Sequence, residues 1–380
     1  MFNFCHWTLG ILLEIRNCNL EILFFMDILT KIKKAGLVGR GGACFPTADK
    51  WEMVKKAKGK KKYVVCNASE GEPGVAKDSY ILENFPEEVI NGIKIAIDFL
   101  GAEEAYIYIN HNYYKKFNKN LVKIIKGAPI EFFIKPIGSG YIGGEESSVL
   151  NAMEGRRIEP WLKPPFPTTS GLWGCPTLIN NVETFYNVSL VASNKYKKDL
   201  RQGGARRFYT ISGDCLWTGV FSLPEFWTIE KILKETKNYP KFPFFVQVGG
   251  EGSGEVLGSG QLEQPAGGVG SITVYSILKH KPENLIKNWL DFFLAESCGK
   301  CTPCREGVYR LREIVGLPNP DWRLFTDLLN NLEETSFCGL GCVVPIPIKS
   351  YINNVLVKMP EDKINFRGLD KKTICEYFRR

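Results

Sequence analysis

The sequence predicts an α/β domain, then an α+β domain, then a helical bundle. Three changes of texture predict this order. Up to about residue 200, β-rich runs alternate with amphipathic helical runs, the pattern of an α/β domain. From about 205 to 280, short strand-like runs dominate, and from 283 only helical periodicity remains. A chain of 380 residues is long enough for two or three such domains.

The first 25 residues are apolar but broken by Glu14, Arg16 and Glu21. No run in them approaches the roughly 20 residues that a membrane helix needs. A basic n-region and a small-residue cleavage site are both missing, which argues against a signal peptide. Residues 1–26 are therefore expected to be a non-native or unstructured leader, with Met26 as the natural start. DILTKIKKAGL then opens an amphipathic helix. KYVVCNASEGEPG (62–74) is a β-rich run ending in a glycine- and acid-rich loop. A helix follows, with apolar residues at 82, 85, 89, 93, 97 and 100. AYIYIN (105–110) is a buried strand and FNKNLVKIIKGA (117–128) a helix.

In the second region, RFYTISGD, GVFSLP, TIEKILKET, FFVQVGG and SITVYSIL read as strand, strand, helix, strand and strand, a compact unit of the β-grasp kind. Its glycine-rich part, residues 249–271, has no following helix and no Lys-Ser/Thr, so it reads as a structural loop rather than a phosphate loop. ENLIKNWLDFFLAE, REGVYRLREIV, DWRLFTDLLNNLEE and PIKSYINNVLVK are the helices of the third region. The expected boundaries are 27–204, 205–282 and 283–360, with 361–380 as a tail.

Hydrophobic content of 44% and charged content of 24% are those of an ordinary globular protein. The net charge of +8 is spread along the chain, and KKAKGKKK (55–62) reads as a solvated loop rather than a nucleic-acid patch. A basic surface also suits an acidic partner subunit. Five of the twelve cysteines fall between 298 and 342, which reads as metal binding rather than a disulfide framework.

ESCGKCTPCREG (296–307) holds Cys298, Cys301 and Cys304 in a C-x2-C-x2-C run. A tight loop of this spacing can aim three thiolates at one cubic cluster, as in ferredoxin-type [4Fe–4S] sites. Structural zinc usually takes two separated C-x2-C pairs. The fourth ligand must come from elsewhere, and the nearest candidates are Cys338 and Cys342 in SFCGLGCVVPIP. Cys338 is flanked by Gly339 and Gly341, which let a backbone wrap a cluster and point N–H groups at its sulfurs. Cys342 is followed by Val343, Val344 and Pro345 and reads as a packed small hydrophobe.

Four other stretches carry chemistry. GLVGRGGACFPTADKW (36–51) offers Gly39, Gly41 and Gly42 for close approach to an anion, Arg40 and Lys50 for charge, and Phe45 and Trp51 as flat surfaces. It is not the G-x-G-x-x-G of a dinucleotide fold. VVCNASEGEPG (64–74) gathers Asn67, Ser69, Glu70 and Glu72. YIGGEESSVL (141–150) sets Tyr141 and Gly144 before Glu145 and Glu146. KPPFPTTSGLWGCPTLINNVET (163–184) carries Lys163, Phe166, Asn180 and Asn181.

Together these motifs resemble the NADH-binding flavoprotein subunit of respiratory complex I and the diaphorase subunits of soluble NAD-linked hydrogenases and formate dehydrogenases, over about residues 27–358. The resemblance implies FMN, NAD(H) and one [4Fe–4S] cluster. It implies that Gly39, Arg40, Gly41 and Gly42 approach the FMN phosphate and ribityl with Lys50 beside them. Asn67, Ser69, Glu70, Gly144, Asn180 and Asn181 complete the FMN set. Phe45, Glu72, Tyr141, Glu145, Glu146, Lys163 and Phe166 form the NADH set. Cys298, Cys301, Cys304 and Cys338 hold the cluster, Cys338 standing in the family's S-x-C-G-x-G context. Hydride transfer to a flavin needs no acid–base residue, so none is assigned; the protein supplies stacking, orientation and tuning. An acid near the ribose hydroxyls favours NADH over NADPH.

The implied function is NADH oxidation with single-electron delivery to a partner. The alternatives are the diaphorase half of a soluble hydrogenase or formate dehydrogenase, and a degenerate electron relay or assembly subunit without NADH turnover. The implied partners are a thioredoxin-like [2Fe–2S] subunit and further iron–sulfur or hydrogenase subunits, with no nucleic acid and no direct membrane insertion. The expected location is cytoplasmic, with any membrane association made through partners. Cys44 and Ala48 replace the family's glycines, Ser69 its aspartate and Met53 a common aromatic, and Gly143 stands where cysteine is frequent. These departures bear on flavin potential and nucleotide affinity.

Overall fold

The computed structural model describes residues 28–196, 204–360, 364 and 366–378. The expectation about residues 1–26 lies outside them, and residues 28–35 are helical (α1). The first unit is built on four parallel strands in the order β3-β2-β1-β4: β1 Tyr63–Ala68, β2 Glu104–Ile109, β3 Ile130–Ile134 and β4 Thr177–Asn181. Strand β1 is buried almost throughout and reads YVVCNA, as a central parallel strand should. The helices are α2 Thr47–Lys56, α3 Lys77–Asn84, α4 Pro86–Leu100, α5 His111–Ile125, α6 Glu146–Met153 and α7 Val182–Ala192. One face of the sheet packs a core that includes Trp51, Ile93, Leu121 and Phe185. Val149, Leu150 and Leu172 join the core on the other face.

The single helix expected from residue 82 onward is two helices. Phe85 leaves helical geometry and Pro86 starts α4, where its missing N–H costs nothing. Strands β3 and β4, which periodicity did not single out, complete the sheet. Chain order runs β1, β2, β3 outward and then returns to β4 on the other side of β1. The switch point therefore lies between β1 and β4, where Asn67 stands opposite Asn181. Open α/β sheets bind ligands outside the carboxyl ends of their strands at such a point.

The second unit is a five-stranded sheet, order β6-β5-β9-β7-β8, with β5 Arg206–Gly213, β6 Gly219–Pro224, β7 Phe244–Val248, β8 Glu255–Gly258 and β9 Ser271–Ser276. β5 and β9 are parallel and the other pairs antiparallel. Helix α8 (Ile229–Glu235) buries Ile229, Ile232 and Leu233 in this unit's core. Strand β8 corrects the reading of 249–271 as loop throughout. It has four residues, the last of them a glycine, too few to show a period, and pairing with β7 makes it a strand.

The third unit is helical: α9 Pro282–Glu296, α10 Val308–Gly316, α11 Trp322–Thr335, α12 Gly339–Val343 and α13 Pro345–Asn354. The stretch expected to be a tail is not one where it is described. Helix α14 (Lys371–Tyr377) follows, and Ile364, Phe366, Leu369, Ile374 and Phe378 are buried in the core of the bundle. Gly339–Lys358 is long and apolar enough to pass for a membrane span. Two helices share it, and 61% of its apolar window is buried inside the protein.

Candidate functional site

The loops at the carboxyl ends of β1 and β4 meet the glycine loop at 39–42. Asn67, last but one in β1, donates from Nδ2 to Gly144 O at 2.8 Å and accepts from Ser69 N–H at 3.2 Å. Ser69 is buried, and a Cβ on Gly144 would come 2.6 Å from its Oγ, so a side chain there would have to displace the Ser69 hydroxyl. A Cβ on Gly41 would touch Asn181 Cβ at 3.5 Å, and one on Gly42 would touch Val269 at 3.5 Å. Gly42 has φ +112°, which a side chain disfavours. These glycines add no side chains of their own between Asn67, Asn181 and Val269, which makes a cradle of close-packed loops where backbone N–H groups can approach an anion. Val269 comes from the second unit, and no sequence motif pointed to it.

The charged residues are paired. Lys50 bonds Glu146 and donates to Ile179 O at 2.7 Å. Lys163 pairs with Glu145 at 2.8 Å, and the same Glu145 carboxylate caps α6 by accepting from Ser147 N–H and Ser148 N–H. These four side chains stay partly open to water. Phe45 and Phe166 are large apolar rings left 46% and 49% exposed.

Other expected residues are placed differently. Arg40 is buried, and its guanidinium forms a two-point pair with Glu225 at 2.6 and 2.7 Å, while its N–H donates to Thr184 Oγ1. Its charge is therefore neutralised by the second unit and is not available to an anion. Glu70 is half-buried and its carboxylate is engaged. Its carboxylate accepts from the N–H groups of Asp78 and Ser79 at the start of α3 and from Tyr113 OH. Burial, and then the nearby Asp78 carboxylate, push its pKa up to about 7. Glu72 is buried and accepts from Gly252 N–H, Ser253 N–H and Ser253 Oγ, at 2.9–3.0 Å, and burial raises its pKa. It stitches two units together instead of lining an open pocket. Tyr141 N–H donates to Glu296, and its ring packs on Phe292. Asn180 accepts from Trp51 Nε1 at 3.1 Å, and Asn181 caps α7.

The sequence reading missed a buried charge network under the cradle. Lys77 bonds Asp78 at 2.6 Å and Asn181 Oδ1 at 3.0 Å and lies 3.4 Å from Glu183; Asn181 donates to Asp78 at 2.6 Å. Burial works against the Lys77 ammonium, but Asp78, Glu183 and Glu70 hold its pKa above the ordinary value. The available signal was the Lys-Asp pair three residues after the E-G-E-P-G loop.

At the other site, Cys298 to Cys304 form a loop that enters a π turn at Pro303–Gly307 before α10. Cys301 and Cys304 are buried and Cys298 half-buried. Cys338 stands at the N-cap of α12. Burial drives its thiol up to about 11, against the pull of the neighbouring Leu340 and Gly341 N–H groups, and it lies in the field of Cys298 and Cys304. A Cβ on Gly341 would lie 2.5 Å from Ser336 Cβ, so this glycine lets the start of α12 pack against Ser336, and the same position lies 3.4 Å from Cys304 Cβ, within ordinary contact of the three-cysteine loop. Cys342 is near Cys301 and Cys304, but its thiol donates to Ser336 O at 3.7 Å. Among the described residues no three His, Cys, Asp or Glu side chains converge as for a single ion. Soft sulfur donors with N–H groups aimed at one of them fit an iron–sulfur cluster.

Two family models match the chain. That of the Nuo51 FMN-binding domain matches residues 32–190, and that of the NADH-ubiquinone oxidoreductase-F iron-sulfur binding region matches residues 284–356. The F subunit of the NADH-quinone oxidoreductase of Aquifex aeolicus (strain VF5) is 32% identical over 374 residues, covering 90% of this chain and 86% of that protein. The chain belongs to the NADH-quinone oxidoreductase F family. A second F-family relative, from the NADH-quinone oxidoreductase of Rhizobium meliloti (strain 1021), is 35% identical over 351 residues, 83% of each chain. An NAD+-reducing [NiFe]-hydrogenase solved in the air-oxidized state superposes with a TM-score of 0.79 at 28% identity, over 87% of this chain. The chain spans 61% of that hydrogenase chain. The match to the family's FMN-binding domain ends just before the close of α7, so it contains the whole cradle except Val269. The iron–sulfur match contains all five clustered cysteines.

Proposed function

We propose that this chain is an electron-input subunit that oxidises NADH at FMN and passes single electrons through one [4Fe–4S] cluster to a partner. The observation that carries the reading is the cradle at the β1–β4 switch point, within a matched FMN-binding domain, on one chain with a matched iron–sulfur region. FMN supplies the exchange between a two-electron hydride donor and a one-electron acceptor.

The residues divide the work. Gly39, Gly41, Gly42 and Gly144 leave room for the flavin and its phosphate, and Asn67, Ser69, Asn180 and Asn181 supply polar contacts. Arg40 and Glu70 hold the loops that carry these groups. Phe45 and Phe166 offer ring faces to the dinucleotide. Glu145, Glu146, Lys50 and Lys163 present two partly exposed ion pairs to NADH hydroxyls and phosphates. Glu72 and Tyr141 brace that wall from behind. Cys298, Cys301, Cys304 and Cys338 hold the cluster. The strand order of the second unit supports a β-grasp domain and the third a cluster-bearing bundle. Relatives named as subunits support a multi-subunit complex; a thioredoxin-like [2Fe–2S] subunit is the partner proposed to take the electrons.

The purified protein should show a flavin spectrum bleached by NADH faster than by NADPH. A protein without flavin, or one indifferent to NADH, would support a relay subunit instead. Cys338→Ser should lose or convert the [4Fe–4S] signal in electron paramagnetic resonance while NADH still bleaches the flavin, and Cys342→Ser should keep the signal. The opposite pattern would move the fourth ligand to Cys342.

A further inference from the structure

We propose that Arg157, Glu159 and Lys300 form a charge latch that fixes the cysteine loop and sets the reduction potential of the cluster it carries. The inference rests on the reading that Cys298, Cys301 and Cys304 are cluster ligands. It uses residues outside the motifs that suggested that reading.

The latch is a set of connected contacts. Arg157 donates from its guanidinium to the carbonyl of Cys298 at 2.8 Å. Lys300, inside the three-cysteine loop, donates to Pro160 O at 3.0 Å. Both cations meet on one carboxylate: Glu159 lies 3.2 Å from Arg157 Nε and 3.1 Å from Lys300 Nζ. The cysteine loop is thereby tied twice to segment 157–160. From its other side, Arg305 donates to Gly299 O at 2.9 Å. Segment 157–160 begins a few residues after α6, which Glu145 caps, and runs on to Lys163, the ion-pair partner of Glu145.

The charges have a consequence that the contacts alone do not. A cluster gains one negative charge on reduction, so its potential follows the charge and dipoles around its sulfurs. Arg157 puts a cation on the carbonyl of a ligand residue and favours the reduced form. Glu159 offsets that cation and Lys300 together and favours the oxidised form. A cavity of about 550 Å³, lined by Arg156, Arg157, Glu159, Trp161 and Lys300 among others, opens beside the latch. Arg157 is 69% exposed, so water and salt screen its effect, and a moderate change is expected.

The test is a redox titration of the purified holoprotein followed by electron paramagnetic resonance at low ionic strength. It reads the ratio of reduced to oxidised cluster at the potential where the unchanged protein is half reduced. Arg157→Gln should lower the ratio about two- to fivefold, the range of a screened ion pair. Glu159→Gln should raise it. Arg157→Lys, which keeps the charge, should stay near the unchanged protein, and high salt should shrink all shifts. Iron content should be unaltered throughout. Shifts in the same direction for Arg157→Gln and Glu159→Gln, or no shift in either, would overturn the proposal. So would loss of the cluster from both Glu159→Gln and Arg157→Lys, which would reduce the latch to a scaffold. A holoprotein with no [4Fe–4S] signal before any substitution would sink the cysteine reading itself, and the latch with it.

Discussion

Glu70 shows how one side chain can be placed by chemistry that its motif does not display. It sits in the acid-rich loop after β1, where sequence suggests a ligand contact, yet it caps α3 and shares a buried site with Asp78. Its folded pKa of about 7 lies above the ordinary 4.5, so the folded chain holds that proton more tightly than the unfolded chain does. The stability from this group is complete below about pH 4.5 and is lost as pH rises toward about 7. Asp78, also raised, adds a contribution of the same sign. Glu70→Gln should flatten the fall of stability across that window. Urea midpoints of both proteins, measured from about pH 4.5 to about pH 7.5, would check it, and parallel curves would count against the assignment.

At the scale of elements, helix starts do much of the positioning. Glu145 begins α6 and Asn181 begins α7, and each side chain accepts from N–H groups of the first turn; Cys338 begins α12 beside the N–H groups of Leu340 and Gly341. The cradle and the cluster site are therefore built partly from helix ends. Glu145 has two tasks, since its other oxygen holds Lys163. Glu145→Ala should cost about 0.5–2 kcal/mol of stability, as for other lost caps, and should also raise the Michaelis constant for NADH. Denaturation and steady-state kinetics together would check this. A change in the kinetics with no change in stability would mean that the cap carries no weight.

At the scale of the whole molecule, three acid contacts among the described residues join the first unit to the second, one of them Glu183 accepting from Phe208 N–H at 3.2 Å. Glu72 binds the N–H groups of Gly252 and Ser253, and Arg40 pairs with Glu225. A Cβ on Gly250 would collide with the Glu72 carboxylate, which is why the glycine-rich stretch passes so close. Arg40→Met should cost about 1–3 kcal/mol, less than for a fully enclosed pair because Glu225 is about a third exposed. Arg40→Met/Glu225→Leu should recover part of that loss. A double-mutant cycle by urea denaturation would read the coupling, and strictly additive costs would show that the pair does not join the units.

The local parts were legible from the residues alone. The alternation of strands and helices, the glycine loop, the three-cysteine run and the glycines around Cys338 all stand out in the sequence. Each is a property of neighbouring residues: a period, a missing side chain or a ligand spacing within one turn. Which side chains remain open to a ligand was settled by long-range packing instead. Arg40 meets Glu225 at 185 residues' separation and Glu72 meets Ser253 at 181, so nothing near either residue announces its partner. Strand β8 was hidden for the same reason, since three residues between two glycines become part of a strand only against β7. The helix of the presumed tail was hidden too, because Ile374 and Phe378 have no reason to be buried until the bundle is there to cover them. Local chemistry limits what a residue can do. Burial and charge pairing depend on distant chain segments, and they determine which of those roles it performs.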